Sequence, residues 1–390
     1  MRAHPIQSTL PVLPARCSPD EATLDAHETA TVAVRAVEIA SSAEWNRLVL
    51  DLGDPDLRQG FEWGELRRDF EGRTLRYAVL DGGSPIAAIA ATVWRPFGSP
   101  FPLLYASRGP VLRTASDRAW HGVVQAAADM AARTGAVVCR LSPALPNDDR
   151  GAVATLERHG FRHLAADWTL WNAPRVVMTL DLRPGEAELK RRMRESTRLS
   201  LTRVQKNGGH VDRDLSEQGV ARLHRLLAAA GRSKGYPVRD LQFFRTLHRE
   251  YLARAQGALV LARRGDRDLA GVLAVRFGRR AHLLYSCVAA DSLEARKLRA
   301  GTGAHWEMIR WMQSAGCEVL DWGGAGTGFP PGPESPGYGI YEFKRGFGCG
   351  VTYLTGYHDL VFRPALYRVF RWLETRWAPV LWRLRARLNA

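Results

Sequence analysis

Apolar positions along this chain shift between period two and period three to four, and each shift marks an element. Val32, Val34 and Val37 alternate as a strand just after Thr31, and Ser41, Ser42 and Glu44 open a helix through Leu50. A second helix carries Trp63, Leu66, Arg67 and Phe70. Arg76–Leu80, the turn Asp81-Gly82-Gly83 and Ile86–Trp94 read as a hairpin. Leu103–Ser107 reads as a strand that stops at Arg108-Gly109-Pro110, because proline cannot donate to a ladder. Helix Asp117–Thr134, strand Ala136–Leu141, helix Val153–His159 closed by Gly160, and a return to strand character over Thr169–Leu182 complete this half.

The second half repeats the layout. Glu186–Gln205 reads as one strongly basic helix stopped at Asn207-Gly208-Gly209. Helices Ser216–Ala230 and Leu241–Ala255 follow, then strands Leu259–Arg263 and Ala270–Phe277 around Gly265-Asp266. Strand Ala281–Ala289, helix Gly301–Ala315 and strand Val319–Trp322 follow in turn. Helix, helix, hairpin, strand, helix, strand therefore occurs twice, which predicts a duplicated α/β domain with mixed (α+β) sheets. The expected units are a disordered lead over 1–30, domains at 31–180 and 181–363, and a helix over 364–390. Gly323–Gly339, rich in Gly and Pro, reads as a functional lid or a disordered insertion. Ile340–Phe343 then reads as a short strand running into a turn at Gly346 and Gly348.

Charge sharpens this picture. The net charge of +15 and isoelectric point near 10.1 point to anionic partners: phosphates, nucleic acid or an acidic membrane surface. In the tail, Leu366, Phe370, Leu373, Trp377, Leu381, Leu384 and Leu388 recur at helical spacing, with six arginines against the single acid Glu374. That pattern fits a helix lying in a lipid headgroup layer, or one packed on its own domain with solvated arginines. Five scattered cysteines fit a reducing compartment and offer neither a disulfide framework nor a zinc site. No run approaches 18 apolar residues, so no transmembrane helix is expected.

Candidate chemistry centres on Lys344. An ammonium wedged between Phe343 and Phe347 must find a partner or lose its proton, so it faces a cleft or, as an ordinary surface lysine, solvent. Arg191, Arg194 and Arg198 would share a helix face able to fork onto a diphosphate. Gly301-Thr302-Gly303 opens a helix after a strand, but Leu298 stands where the acetyl-CoA loop of GNAT acetyltransferases wants Arg or Gln. Asp321, at a strand end before Gly323-Gly324, could orient an amine or serve only as a turn aspartate.

From 55 to 365 the chain resembles the Fem-type aminoacyltransferases that build peptidoglycan cross-bridges, within the GNAT superfamily. The resemblance rests on the order of Gln59, Trp63 and Arg67, Leu104-Tyr105 with Arg108-Gly109-Pro110, Gly160-Phe161, and Thr179-Leu180-Asp181-Leu182. It continues through Thr197-Arg198, Lys206-Asn207-Gly208, Tyr285, Trp306-Glu307-Met308-Ile309, Asp321–Gly324 and Phe343-Lys344 with Gly346-Phe347-Gly348. It implies two tandem GNAT-like domains, an aminoacyl-tRNA donor and a stem-peptide amine of a UDP- or lipid-linked muropeptide as acceptor. No metal or other cofactor is implied. Lys344, with Phe343 and Asp321, would form the catalytic group. Arg67, Arg108, Arg194, Arg198, Tyr285, Gly324 and Tyr341 would bind substrate. The implied location is the cytoplasm, peripheral to the inner membrane face through 364–390. Two other readings remain open: an acyl-CoA-dependent N-acyltransferase acting on an envelope or exopolysaccharide precursor, and a non-catalytic tRNA- or membrane-binding module.

Overall fold

The computed structural model describes residues 34–388 except 97–98, 165–173, 291, 325–330 and 336, and side chains only as far as 376. The expected lead, Val32, the start of Thr169–Leu182, part of Gly323–Gly339 and the tail side chains from Trp377 onward lie outside the described residues.

The first half runs β1 (Arg35–Glu38), α1 (Ser42–Leu52), a 3-10 turn (Leu57–Gln59), α2 (Phe61–Glu71), β2 (Thr74–Asp81), β3 (Ser84–Trp94), β4 (Leu103–Ser107) and β5 (Val111–Leu112). It continues with α3 (Asp117–Thr134), β6 (Val138–Ser142), α4 (Arg150–Arg158) and β7 (Arg162–Leu164). Then come β8 (Val176–Asp181), α5 (Glu186–Arg192), α6 (Glu195–Arg198), α7 (Arg203–Lys206), β9 (His210–Arg213), α8 (Glu217–Lys234) and α9 (Leu241–Leu247). The second hairpin is β10 (Gly257–Arg264) and β11 (Arg267–Phe277), followed by β12 (Arg280–Val288), α10 (Leu293–Lys297), α11 (Ala300–Ser314) and β13 (Val319–Gly324). The chain closes with α12 (Tyr338–Gly346), β14 (Gly350–Tyr353), β15 (Tyr357–Val361) and α13 (Pro364–Leu388). Local chemistry explains the sharpest boundaries. Ser116 caps α3 by accepting from the Ala119 N–H, and Gly135 ends it in the left-handed region.

Two mixed sheets result, and their seven-strand paths match strand for strand, with β5 an eighth strand of the first, paired with β3. The first runs β1-β2-β3-β4-β6-β15-β7 and the second β9-β10-β11-β12-β13-β8-β14. In each, the fourth and fifth strands are parallel, β4 with β6 and β12 with β13. The sixth strand is exchanged between halves. β8 crosses from the first half to pair with β13 and β14, and β15 returns from the chain end to lie between β6 and β7. The sheets therefore do not part at residue 180, which falls inside β8.

Three local expectations change. Ile340–Phe343 lies within the helix α12 rather than a strand. Tyr341 and Lys344, three apart, point inward while Ile340 is exposed, a helical rather than a two-residue period. The expected single helix Glu186–Gln205 is three short turns, because Met193 (ψ 149°) and Arg194 (ψ 139°) are extended. Burial of Met193 and the bond from the Arg194 N–H to the Gly346 carbonyl hold that break. The helix expected over Leu241–Ala255 loosens into a π-type turn at His248–Leu252.

One apolar cluster spans the halves, joining Leu57, Leu66 and Val111 to Phe244, Leu273 and Phe277. Each such side chain contributes about 1.5–3 kcal/mol on burial, so both sheets are held against a common core and the polar groups between them have fixed neighbours.

Candidate active site

The two parallel strands β12 and β13 stay in register only from Arg280↔Val319 to His282↔Asp321, then part. His282 and Asp321 are thus the last facing pair at a fork. Beyond the fork, Asp321 Oδ1 accepts from the Gly323 N–H at 2.6 Å, and Gly323 takes a φ of 71° that favours glycine. The β13 carbonyls this turn leaves unpaired are taken by Lys344. Its Nζ donates to Trp322 O at 2.6 Å and to Gly324 O at 2.5 Å. An ammonium has three hydrogens, so one remains for the fork. Burial pushes the Lys344 pKa down to about 8, with Cys349 and Asp321 pulling the other way.

An aromatic wall backs this ammonium. Trp322 stacks on His305 with ring centres 5.2 Å apart and lies 5.0 Å from Phe347, while Phe343 meets His305 at 5.0 Å. His305 donates from Nδ1 to Gly301 O at 2.7 Å, and burial lowers its pKa to about 4, so the ring is neutral. Tyr341 is buried in the same core cluster, 6.1 Å from Tyr338.

The first half supplies the facing side from the 3-10 turn. Gln59, fully buried, donates to Ala90 O at 3.2 Å and Ser107 O at 2.9 Å and accepts from the Ala90 N–H. This pins the turn to β3 and β4 and aims Arg58 outward. Arg58 Nη1 donates to both oxygens of Asp56, at 2.9 and 3.0 Å, which holds the Asp56 carboxyl, though buried, well below the usual range. Arg108, at a φ of 56°, donates to Pro174 O at 2.8 Å. The same proline presses on Gly324, where a Cβ would come within 2.6 Å of it, so Arg108 lies by the end of β13. Burial and the Arg58 charge lower the Arg108 pKa.

Arg67 extends the arginine wall. It pairs with Glu71, yet its Nε is buried without a partner, and burial pushes its pKa down to about 10. Arg239 meets Glu71 at 2.9 Å, and its charge acts on Tyr285, whose pKa burial raises to about 12. Tyr285 packs on Phe244 at 4.7 Å. Trp63 receives Arg58 over its ring at 5.8 Å.

Of the residues singled out in the sequence, Lys344, Phe343, Asp321 and Gly324 therefore meet at the fork, and Arg67, Arg108 and Tyr285 stand along the wall facing it. Arg194 and Arg198 do not complete a diphosphate face with Arg191. Arg191 is paired with Glu188 and Arg194 with Glu342, while Arg198 is exposed. Asp56, Arg58, Arg239, His282, His305 and Trp322 were not anticipated. The usable signal is His282, a polar residue between the apolar Ala281 and Leu283-Leu284.

Asp56, His282 and Asp321 bring one potential ligand atom each within 4.8 Å of one another. His282 Nε2 already accepts the Leu57 N–H at 3.2 Å, so a neutral ring carries its hydrogen on Nδ1. That nitrogen offers Asp321 a donor, not a lone pair for a cation.

This geometry has relatives. The FemAB family profile matches residues 54–263, more than half of the sequence. The chain belongs to the FemAB family. A profile for the acetyltransferase (GNAT) domain matches residues 190–345. A lipid II:glycine glycyltransferase of Staphylococcus haemolyticus (strain JCSC1435) is 23% identical, over 82% of this chain and 91% of its own. A protein of the same name from Staphylococcus aureus (strain MRSA252) is 22% identical over the same shares. The crystal structure of FemX superposes with a TM-score of 0.77 at 18% identity, over 86% of this chain and 99% of its own. A tandem GNAT protein from the clavulanic acid biosynthesis pathway reaches 0.51 at 10% identity, over 84% and 98%. The two matched sheets of this FemAB member are thus GNAT-like, as the resemblance implies, and the duplication follows the repeated element order.

Proposed function

We propose that this chain is an aminoacyltransferase that moves an amino acid from aminoacyl-tRNA to an amine on the stem peptide of a lipid-linked peptidoglycan precursor. The observation that carries the reading is the buried Lys344 ammonium, two hydrogens tied to β13 carbonyls and the third left for the fork. An aminoacyl ester is already activated, so the protein need only place a neutral amine against it and stabilise the developing oxyanion. Lys344 does the second. Asp321 receives the amine, and Phe343 with Trp322 excludes water behind it. Arg58, Arg67 and Arg108 bind the acceptor's phosphates, with Tyr285 alongside them. Gly324 lets the donor approach β13, Tyr341 supports Lys344 from within α12, and Arg194 and Arg198 meet the tRNA end at the rim. The relatives' lipid II:glycine activity favours a lipid-linked over a UDP-linked acceptor.

The acceptor choice also gives α13 a role at an anionic membrane, from the cytoplasmic side. Val369, Trp372 and Leu373 are exposed on it, beside the exposed Arg368 and Arg376, while Glu374 and Tyr367 tie its other face to the first sheet. No helix among the described residues is long and apolar enough to cross a membrane. Flotation with anionic liposomes should retain the full chain and lose it when Trp372 and Leu373 become Ser.

Incubation with charged tRNAs and purified lipid-linked precursor, followed by mass spectrometry, should show one added aminoacyl residue. Product from acyl-CoA instead, with heat on titrating CoA, would favour an acyl-CoA N-acyltransferase; binding of tRNA or liposomes without product would favour a non-catalytic module.

A further inference from the structure

His282 is 2% exposed and carries a ring nitrogen with no hydrogen-bond partner, Nδ1. A buried polar atom left unmatched is costly, so its placement needs a reason. The two ring nitrogens face different halves of the molecule. Nε2 accepts the Leu57 N–H from the 3-10 turn of the first half at 3.2 Å. Nδ1 faces Asp321 Oδ2 on β13 at 3.7 Å, just beyond hydrogen-bonding distance. A main-chain N–H cannot become an acceptor, so it fixes the tautomer: Nε2 keeps its lone pair and Nδ1 keeps the hydrogen. Oδ1 of Asp321 is held by the Gly323 N–H. The second oxygen, Oδ2, is the one the imidazole faces.

We propose that His282 is a positioning residue for the transfer reaction: locked by Leu57 as the Nδ1–H tautomer, it closes on Asp321 Oδ2 and orients that carboxylate to take the proton of the attacking amine. The inference rests on the aminoacyl-transfer reading. In the step, the amine nitrogen bonds to the ester carbonyl carbon and its proton passes to the Asp321 carboxylate. The bond from that carbon to the ribose oxygen then breaks, and the leaving oxygen takes the proton back. Amide and free hydroxyl form with no net change at Asp321. Apo hydrogen bonds of this kind are often long and tighten when substrate is bound.

The charged groups around the ring come from several elements. Asp56 and Arg58 project from the 3-10 turn, Asp321 from β13 and Arg280 from β12 itself. Arg108 faces Asp56 and Asp321 from the end of β4, and Lys344 acts on Asp321 from α12. Burial, the largest influence on the ring, lowers the His282 pKa and disfavours its cationic form, with Asp56 and Asp321 pulling the other way. Protonating Nε2 would set it against the Leu57 N–H and release the turn that carries Arg58.

Two substitutions separate positioning from structural support, since Asn reproduces a donor at Nδ1 and Gln an acceptor at Nε2. The expected result is that His282→Asn keeps kcat within about 3-fold of wild type, with the same acidic limb in its pH–rate profile. His282→Gln should keep the fold but lose about 10- to 100-fold in kcat, with KM for the acceptor unchanged and the acidic limb displaced. Wild-type kcat in His282→Gln, or the opposite ranking of the two variants, would overturn the proposal. Should neither variant fold, 15N shifts of the wild-type ring decide: Nδ1–H and neutral at pH 7 supports it, and Nε2–H or a cationic ring overturns it. A wild type with no transfer activity sinks the proposed function instead, which the ring measurement distinguishes.

Discussion

Arg140 and Arg67 are both withdrawn from solvent, and their partners could hardly differ more. Arg140 on β6 is fully buried and forks onto Asp359, its cross-strand partner on the exchanged strand β15, at 2.7 and 2.8 Å. It also meets Glu374 of α13 at 2.6 and 3.1 Å. Tyr367 completes the network by donating to Asp359 at 2.8 Å. The two carboxylates outweigh burial and raise the Arg140 pKa. Burial, with neighbouring arginines adding to it, lowers those of Arg67 and Arg108, although Arg67 pairs with Glu71 and Arg108 faces Asp56 and Asp321. One set of charges is matched by direct bonds to two buried carboxylates and fastens a returning strand; in the other the nearby acids do not offset burial, and room is left for an anion. Burial alone does not separate the two uses of arginine. How far the acids offset it does.

Breaking the matched set should have the largest effect. Arg140→Met leaves Asp359 buried without a cation and Glu374 with Arg371 alone, and should cost about 3–5 kcal/mol in denaturant unfolding. Adding Asp359→Leu and Glu374→Leu should recover most of it. If the single change were mild, the latch would not be holding β15. Next comes Lys344, on the unmatched side. Its folded pKa, about 8 against 10.5, means that between these values the unfolded chain holds a proton the folded one has shed. Stability should therefore rise with pH across that window, by up to about 3 kcal/mol, and Lys344→Met should flatten the rise. Arg67→Met should raise KM for the phosphate-bearing acceptor about 10- to 30-fold, near 1.4–2 kcal/mol, without lowering the melting temperature. A drop in stability with unchanged KM would move Arg67 into the matched class. The smallest effect belongs to the exposed Arg198. Arg198→Ala should weaken tRNA affinity a few-fold at low salt and hardly at all at high salt, in a salt titration of binding.

The same contrast explains what could be read in the sequence. The hairpin around Gly82-Gly83 and the helix Asp117–Thr134 are set by local periodicity and caps, and were legible within a few residues. The exchange of β8 and β15 was not, because β15 pairs with β6 some 220 residues earlier in the chain and no local period encodes that partner. Lys344 stands out because aromatic neighbours make its charge costly, although Ile340–Phe343 reads as a strand and lies in α12: tyrosine, phenylalanine and nearby glycines suit either. Asp321 was visible as a carboxylate at a strand end. The groups that give it meaning, His282 and the Asp56–Arg58 turn, reach it only through the fold. The helix face expected to join Arg191, Arg194 and Arg198 does not form, because the extended pair Met193-Arg194 breaks the helix that their spacing assumes.

The most direct test compares wild type and Lys344→Met in single-turnover aminoacyl transfer to a lipid-linked acceptor at pH 7, with thermal melts on the same samples. Transfer should fall at least about 100-fold while a cooperative melt is retained, since Met keeps the bulk and removes a disfavoured charge, although Trp322 O and Gly324 O lose their donor. Transfer at the wild-type rate, or a loss of activity matched by a loss of fold, would contradict the assignment of the fork as the place where the ester meets the amine.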